Sequence, residues 1–576
     1  MEAITTYTLE ECIDHIGLGK YQWRLMAILG FCSMADAVEM MLLAILGPAI
    51  TCYWPTVTKV QMAALTTGVF AGMMIGAFIF GIIADKYGRR RVIIISAVLN
   101  TIFGIFTAAA PNYYCVLLAR ILVGFALSGA SQGSTLMLEY LPSSTRATII
   151  IVSGLFWSLG SIFEYVMGMI IVPSYGWRLL TVLSALPITI VAIFMYFVPE
   201  SPRYFVASGC PEKAEHVLKA IASTNKRSLP EGKLHDVHAQ DECGSIKHLF
   251  HVNYKRTSFL LAFMWMTVAM SYYGLVLINT SIITLFDNEH ELIKNTSTIK
   301  PSQCKMLTTK DYQSLIFTTF GEMFGIPLLL FFLAFFGRRI VCAINFSCAS
   351  FCFLSFLFIS HTKPWIINII TFLARMFISS QFSLVYLYTM EVYPTVIRAI
   401  AIGCASSMAR IGAMITPFLA QVLIKHTFHG TIAIYTIATA IAAICAFLLP
   451  IETRGRELKV KLNLLWDSHL SFVCHHSHER VPQDNYIIDY PRTSHRYQQQ
   501  YRLHESPPAF EESSPSYDIS VNQIRRQKLP IFTSIRTTPI TTNVEQSSPT
   551  MTSSIHSTMP PSYAEIFLTP YTLTNR

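Results

Sequence analysis

The sequence predicts an all-α membrane protein of twelve transmembrane helices, arranged as two related six-helix bundles. Three observations predict it. Apolar runs recur along residues 25–450 and then stop, Lys and Arg collect between alternate runs, and short motifs of the first half return at nearly constant spacing in the second.

The apolar runs come first. Apolar residues make up 52% of the chain and charged residues 13%, and the mean hydropathy is +0.46. That is more apolar surface than a soluble domain can hide, so the solvent is lipid. Crossing a hydrocarbon core roughly 30 Å thick takes about 20 apolar residues as helix. Such runs are expected at 25–50, 62–84, 92–110, 114–137, 147–171, 178–198, 257–285, 313–335, 340–360, 365–389, 399–424 and 430–449.

Charge sets the orientation. Residues 1–19 are mixed and polar and the first apolar run is long, so a cleaved signal peptide is not expected and the N-terminus is placed in the cytoplasm. Lys86, Arg89, Arg90, Arg91, Arg146, Arg203, Lys255, Arg338, Arg339, Arg398, Arg454 and Arg456 then share the cytoplasmic side, as the positive-inside rule requires. The net charge of +9 therefore reads as topology and not as a nucleic-acid surface.

The expected organisation is a cytoplasmic N-terminus over 1–24, a first bundle over 25–198, a cytoplasmic linker over 199–256, a second bundle over 257–450, and a disordered cytoplasmic tail over 451–576. In the linker, residues 211–223 read as a helix with Ala214, Val217, Leu218 and Ile221 on one face. The loop placed outside, 287–310, carries Asn295 in a glycosylation sequon; two further sequons, at Asn279 and Asn345, fall in or near lipid and are discounted. Cys52 and Cys304 both lie in loops placed outside, where they could pair or stay reduced. Cys342, Cys348 and Cys352 sit inside apolar runs and act as small hydrophobes.

The repeat is the third observation. Glu139, Pro142 and Arg146 keep the spacing of Glu391, Pro394 and Arg398. Nearly the same offset relates Gly88-Arg89-Arg90 to Gly337-Arg338-Arg339, Arg120 to Arg375, and Pro199-Glu200-Ser201 to Ile451-Glu452-Thr453. Two halves related by an axis along the membrane normal follow, with a path between them.

These motifs carry a resemblance. Asp85-Lys86-Tyr87-Gly88-Arg89-Arg90 resembles the loop motif between helices two and three of the major facilitator superfamily. Pro199-Glu200-Ser201-Pro202-Arg203-Tyr204 and Glu452-Thr453-Arg454-Gly455-Arg456 resemble the sugar and organic-ion porter motifs after helices six and twelve. Residues 34–41, Phe156-Trp157, Phe163-Glu164, residues 271–277 and residues 408–413 are similar to the synaptic vesicle 2-related family, over about 11–457. The resemblance implies a carrier-like protein akin to organic cation and anion transporters, often vesicular. Two departures stand out: the second loop reads Ala334-Phe335-Phe336-Gly337 without the motif's acid, which would loosen the cytoplasmic gate of the second half, and the tail is long.

Charges inside the membrane each need a reason, since one at a helix centre costs about 2.5 to 3.5 kcal/mol on insertion scales. Asp36 and Glu39 lie three residues apart on the first helix and share a face, where they could exchange a proton or neutralise a cation. Glu164, Glu322 and Arg410 join them as candidate substrate or proton-coupling groups. Trp157 and Tyr273 are candidate pocket aromatics, with Phe156 and Tyr272 beside them. Arg120 and Arg375 read equally well as packing ion pairs. Asp85, Arg89, Arg90, Glu139, Arg146, Glu391 and Arg398 are read as gating ion pairs that close the inner face, the alternative being solvated loop charges. Gly68, Gly72, Gly76 and Gly81 are small-residue spacings for close helix packing.

No P-loop lysine, metal-ligand spacing or nucleophile elbow is present in the sequence, so no enzyme, cofactor or resident metal is expected. In the tail, residues 458–472 have an amphipathic pattern, and Cys474, His475, His476 and His478 lack a fold to fix a metal. Pro560, Pro561 and Tyr563 have the form that docks in WW domains, and Tyr563 with Ile566 has that of an endocytic sorting signal. The function expected is secondary active transport of a small organic ion, proton-coupled, in a vesicle or plasma membrane. The alternative is a membrane protein that kept the fold and acts by binding.

Overall fold

The computed structural model describes residues 6–234, 245–294, 306–358 and 364–454. Eleven of its helices are long and apolar enough to cross a membrane: Lys20–Tyr53, Lys59–Tyr87, Arg89–Ala109, Tyr113–Leu138, Arg146–Met195, Lys255–Ser281, Thr309–Phe335, Arg338–Ser355, Trp365–Val392, Ile397–His426 and Phe428–Phe447. One of these is double. Arg146–Met195 has 50 residues, about 75 Å of helix, more than twice the hydrocarbon thickness. It turns at Gly176, whose φ of 78° leaves the helical region, three residues after Pro173. Fifth and sixth crossings result, and the expected twelve are present.

The helices overrun the apolar runs at their ends because backbone hydrogen bonding does not stop where lipid does. The first begins at Lys20, within the stretch read as a cytoplasmic N-terminus. Aromatic side chains mark both boundaries: Tyr114, Tyr175 and Trp365 are exposed at outer ends, Trp23, Tyr196 and Phe197 at inner ones.

Glycines set how closely the helices cross. A Cβ on Gly160 of the fifth helix would strike the Met34 carbonyl of the first; on Gly72 and Gly76 of the second it would strike the Ile121 and Phe125 carbonyls of the fourth. In the second half, Gly412 meets the Met266 carbonyl of the seventh helix, and Gly321 and Gly325 meet the Phe372 and Met376 carbonyls of the tenth. Gly72 and Gly76 precede Gly321 and Gly325 by the interval that separates Arg89 from Arg338, and Gly160 precedes Gly412 by that between Glu139 and Glu391. The internal repeat is thus a packing repeat, backbone against backbone.

The repeated Glu200 and Glu452 have one structural task. The third and ninth crossing segments of the repeat begin at Arg89 and Arg338 behind a glycine, with no capping side chain of their own. Glu200 Oε1 accepts from the Arg89 and Arg90 amides at 3.0 and 3.2 Å, and Glu452 accepts from the Arg338 and Arg339 amides at 2.8 and 3.3 Å. A carboxylate on open N–H groups at a helix N-terminus is favourable both as hydrogen bond and against the macrodipole. Where the first half has Asp85, Arg454 donates to the Phe335 carbonyl at 2.5 Å and the Ala334 carbonyl at 2.7 Å. The loop that lacks the acid is therefore tied by a cation on a helix C-terminus.

On the cytoplasmic side, Leu9–Ile16 forms a helix that packs Cys12, Ile13 and Ile16 with Val217, Leu218 and Ile221 of Pro211–Asn225. Thr6–Tyr7 pairs in parallel with Lys233–Leu234, Glu10 reaches Arg203 at 2.8 Å, and Asp14 accepts from the Ser143 amide and hydroxyl at 2.7 and 2.8 Å. The segment before the membrane is folded onto the first half, which its mixed polarity did not announce.

Across the halves, the second helix packs on the eleventh and the fifth on the eighth. The first and seventh helices are the most enclosed, with 72% and 78% of their apolar windows buried against 33–56% elsewhere. In the outer part, Thr67 Oγ1 donates to the Met414 carbonyl at 3.0 Å and Gly168 faces the Tyr312 ring. On the cytoplasmic side, no hydrogen bond or ion pair joins the two halves among the described residues. Cys52 is disulfide-bonded. Cys304, Asn295, residues 458–472, Cys474, His475, His476, His478, Pro560, Pro561, Tyr563 and Ile566 lie outside the described residues. Asn279 and Asn345 are inside the bundle, where Asn279 donates to Thr318 at 3.1 Å and Asn345 to Ser380 at 3.4 Å.

Candidate functional site

Asp36 stands at the midpoint of Lys20–Tyr53 and Glu322 at that of Thr309–Phe335; Arg410 is close to the middle of Ile397–His426. The candidate groups therefore gather halfway through the membrane, where carriers of this architecture place substrate.

The first-half acids separate. Although Asp36 and Glu39 are only about 60° apart around the helix, Arg120 of the fourth helix intercepts Glu39, with Nη1 to Oε2 at 2.9 Å and both side chains buried. Glu164 of the fifth helix lies in the same interior, accepting from the Ser184 hydroxyl of the sixth at 2.9 and 3.0 Å. Glu39 and Glu164 thus point into the first half, and the paired-acid face expected from the sequence is divided. Asp36 alone turns toward the second half. Its Oδ1 is buried and has no hydrogen-bond partner.

The second half answers with a cation and a relay. Arg410 of the eleventh helix holds Ser406 through Nη1 at 2.6 Å, while its buried Nε has no partner. Asp36 and Arg410 act on one another and on the Tyr273 hydroxyl electrostatically, yet form no ion pair. Phe70 of the second helix packs on Tyr273 with centroids 4.7 Å apart. Beside them, Trp157 Nε1 of the fifth helix donates to the Tyr272 hydroxyl at 2.5 Å; that hydroxyl donates to Glu322 Oε1 at 3.0 Å, which accepts also from Arg375 Nη2 at 2.5 Å. A buried chain from first half to second follows: Trp157, Tyr272, Glu322, Arg375.

Of the seven candidate substrate or coupling residues, the structure brings Asp36, Tyr273 and Arg410 into one place and Trp157 and Glu322 into the adjoining relay. Glu39 and Glu164 are held apart with Arg120 and Ser184. Phe70 and Ser406 were not singled out from the sequence, because an aromatic or hydroxyl in an apolar helix carries no signal until its neighbour across the bundle is known. Replacing Trp157 by Phe keeps an aromatic ring and removes the first-half donor to the Tyr272 hydroxyl. Its expected effect is a loosened outer contact, read as faster labelling by an impermeant maleimide of a cysteine introduced at Met414, where the carbonyl that Thr67 bonds is kept. Unchanged labelling would show that the bond does not help hold the halves together.

Among the described residues, the seven gate candidates make their hydrogen bonds and ion pairs within their own halves. Arg89 Nε binds Glu139 Oε1 at 2.8 Å and lies 3.9 Å from Asp85; Arg338 Nε binds Glu391 at 3.2 Å. Burial lifts the Glu139 carboxyl above its ordinary range and Arg89 pulls it back. Arg90 donates to the Met195 and Tyr196 carbonyls, and Arg146 donates to the Leu141 carbonyl and approaches Glu10 at 3.7 Å. Arg398 donates to the Tyr393 carbonyl at 3.4 Å and keeps a buried Nη2 without a partner. Arg398 faces Glu10, Arg146 and Arg203 of the other half without bonding to them. Among the described residues there is no group of three His, Cys, Asp or Glu side chains placed to hold a metal ion.

Comparison with known proteins agrees with this architecture. Residues 5–462 match the family described as sugar (and other) transporter. The chain is 40% identical to the synaptic vesicle 2-related protein of Xenopus laevis over 471 residues, 81% of this chain and 84% of that protein. It is 39% identical to the Bos taurus protein of that name over 470 residues, with the same shares. Among solved structures it is similar to the xylose transporter XylE from E. coli in a partially occluded inward open conformation, with a TM-score of 0.58 at 16% identity, covering 76% of this chain and all of that one. The chain is a multi-pass membrane protein and belongs to the sugar (and other) transporter family of the major facilitator superfamily.

Proposed function

We propose that this protein is a secondary active transporter of a small organic ion, working by alternating access, with Asp36 as the carboxylate that exchanges a proton. One observation carries the reading. Of the four mid-membrane acids, Glu39, Glu164 and Glu322 are engaged by Arg120, Ser184 and Arg375, whereas the Asp36 side chain makes no hydrogen bond or ion pair among the described residues and its Oδ1 is buried. A carboxylate at a helix centre costs about 2.5 to 3.5 kcal/mol on insertion scales; a ligand cation or a proton offsets that cost. The ionisable groups facing it are Arg410 from the eleventh helix, Tyr273 from the seventh, and Glu39 and Cys32 from its own. A neutral sugar would leave Asp36 and Arg410 uncompensated, which favours an ion.

In this reading the halves rock about the site, exchanging the outer contact of Thr67 with Met414 for inner contacts between Arg398 and the Glu10–Arg146 cluster. Asp85, Arg89, Arg90, Glu139 and Glu391 stiffen the inner helix ends that meet. The work done is coupled movement and not chemistry, so the protein is a carrier and not an enzyme. The relatives' name supports a vesicle membrane, and the tail motif around Tyr563 supports recruitment of WW-domain proteins or endocytic adaptors.

The test is uptake into proteoliposomes carrying the purified full-length chain, screened over small organic ions with and without a pH gradient. Uptake of at least one ion should rise with the gradient, and Asp36→Asn should reduce it at least tenfold while eluting as a folded monodisperse protein. Gradient-driven uptake that survives Asp36→Asn would remove Asp36 from the coupling role. An absence of flux for every ion would favour a binding role on a transporter fold.

A further inference from the structure

Resting on the transport reading above, we infer that the substrate is a zwitterion, held by its cationic end at Asp36 and by its carboxylate at Arg410. Asp36 makes no side-chain hydrogen bond or ion pair among the described residues and Arg410 bonds only Ser406 of its own helix; Asp36 Oδ1 and Arg410 Nε are buried without a partner. They belong to different halves and lie near mid-membrane on the first and eleventh helices. The interior charges around them are matched internally, Glu39 by Arg120 and Glu322 by Arg375. Asp36 and Arg410 are opposite, electrostatically aware of one another, and unpaired.

A ligand with a single charge satisfies one of these groups and leaves the other buried without a partner. A monocation seated on Asp36 also lies in the field of Arg410, and a monoanion seated on Arg410 lies in that of Asp36. Only a ligand with both charges and no net charge compensates both, as buried ions require. The two groups also suit the two ends. Arg410 uses Nη1 on Ser406 and keeps Nε, one edge of its planar fork, for a carboxylate. Asp36 accepts from an ammonium, and the Phe70 and Tyr273 rings, packed at a tilt, give a cation or an apolar body a wall to lie on. Because its ends engage different halves, the ligand itself completes the link between them.

The experiment compares matched triplets in proteoliposomes of the full-length chain: phenylalanine with phenethylamine and 3-phenylpropanoate, and a series of ω-amino acids of graded length, each with its alkylamine and its carboxylic acid. At least one zwitterion is expected to be taken up, and to stabilise the purified protein against heat, at concentrations at least tenfold below either single-charge analogue. Asp36→Asn should then shift the preference toward the acid and Arg410→Gln toward the amine, a reciprocal change that general misfolding would not give. The wild-type ranking alone decides the matter if either variant fails to fold. Amines or acids transported better than every zwitterion would overturn the charge match and leave the transport reading standing; no uptake or stabilisation by any member would overturn both.

Discussion

Glu322→Ala is expected to destabilise the protein by about 3–5 kcal/mol, because it leaves the Arg375 guanidinium buried with no counter-charge. Arg375 is 1% exposed and gives both Nε and Nη2 to Glu322 Oε1, at 3.0 and 2.5 Å. The same oxygen is the acceptor for Tyr272, so the substitution also leaves a buried O–H without its acceptor. The penalty belongs to the orphaned charge and not to the lost pair, which yields a second expectation. Glu322→Leu combined with Arg375→Met should recover most of the loss, since a packed apolar pair often matches a buried ion pair. Melting followed by size-exclusion fluorescence checks both. A single variant that melts with wild type would show that water reaches Arg375.

Gly72→Val is the second large effect. A Cβ at this position would fall on the Ile121 carbonyl and the Phe125 amide of the fourth helix. Neither is the end of a flexible side chain, so the second and fourth helices must separate. Overpacking a well-filled core costs about 1–3 kcal/mol, occasionally more, and a backbone obstacle places this site at the top of that range. Gly81→Val on the same helix is the control, because nothing lies within 4 Å of a Cβ there. Folded yield after detergent extraction should fall sharply for the first and hardly at all for the second. Equal yields would mean that the small-residue spacing does not set the crossing.

These two residues also show what could be read without coordinates. Gly72 and Gly76 announced a close crossing by their spacing, but Gly81, in the same series, faces open space, and only the partner helix distinguishes them. Arg120 and Arg375 were recognisable as buried cations by their place in apolar runs. Their acids were less so, because Glu39 seemed to belong with Asp36 on one face until the fourth helix supplied an arginine. The helices themselves were legible throughout, since lipid demands long apolar runs. The turn at Gly176 divides what hydrogen bonding alone makes continuous, and the sequence marks it with Pro173 nearby. The docking of Leu9–Ile16 was not legible. Its apolar face is short and mixed, and it is stabilised by Arg203, Ser143 and the helix Pro211–Asn225, all distant in sequence.

The gate residues teach a related lesson. The sequence reads them as ion pairs that lock the inner face; in this structure Arg89 pairs with Glu139, and Glu391 pairs with Arg338, which is outside that set. A repeat within each half naturally finds its partners within that half, so the spacing carries no information on contacts between halves. Arg398, with its open Nη2 opposite Glu10, is where the two halves have a contact still to make.

The central claim is that two halves rock reciprocally about the site of Asp36 and Arg410, and paired distances across the membrane test it most directly. Spin labels at Val60 and Lys425 span the outer ends of the second and eleventh helices, and labels at Tyr87 and Phe336 span the inner ends of the second and eighth; all four positions are exposed. In lipid nanodiscs, electron–electron resonance should find two populations, one with the outer pair short and the inner pair long and one reversed, with their balance moved by pH. A single fixed distance for each pair, or two distances that lengthen and shorten together, would contradict alternating access in this protein.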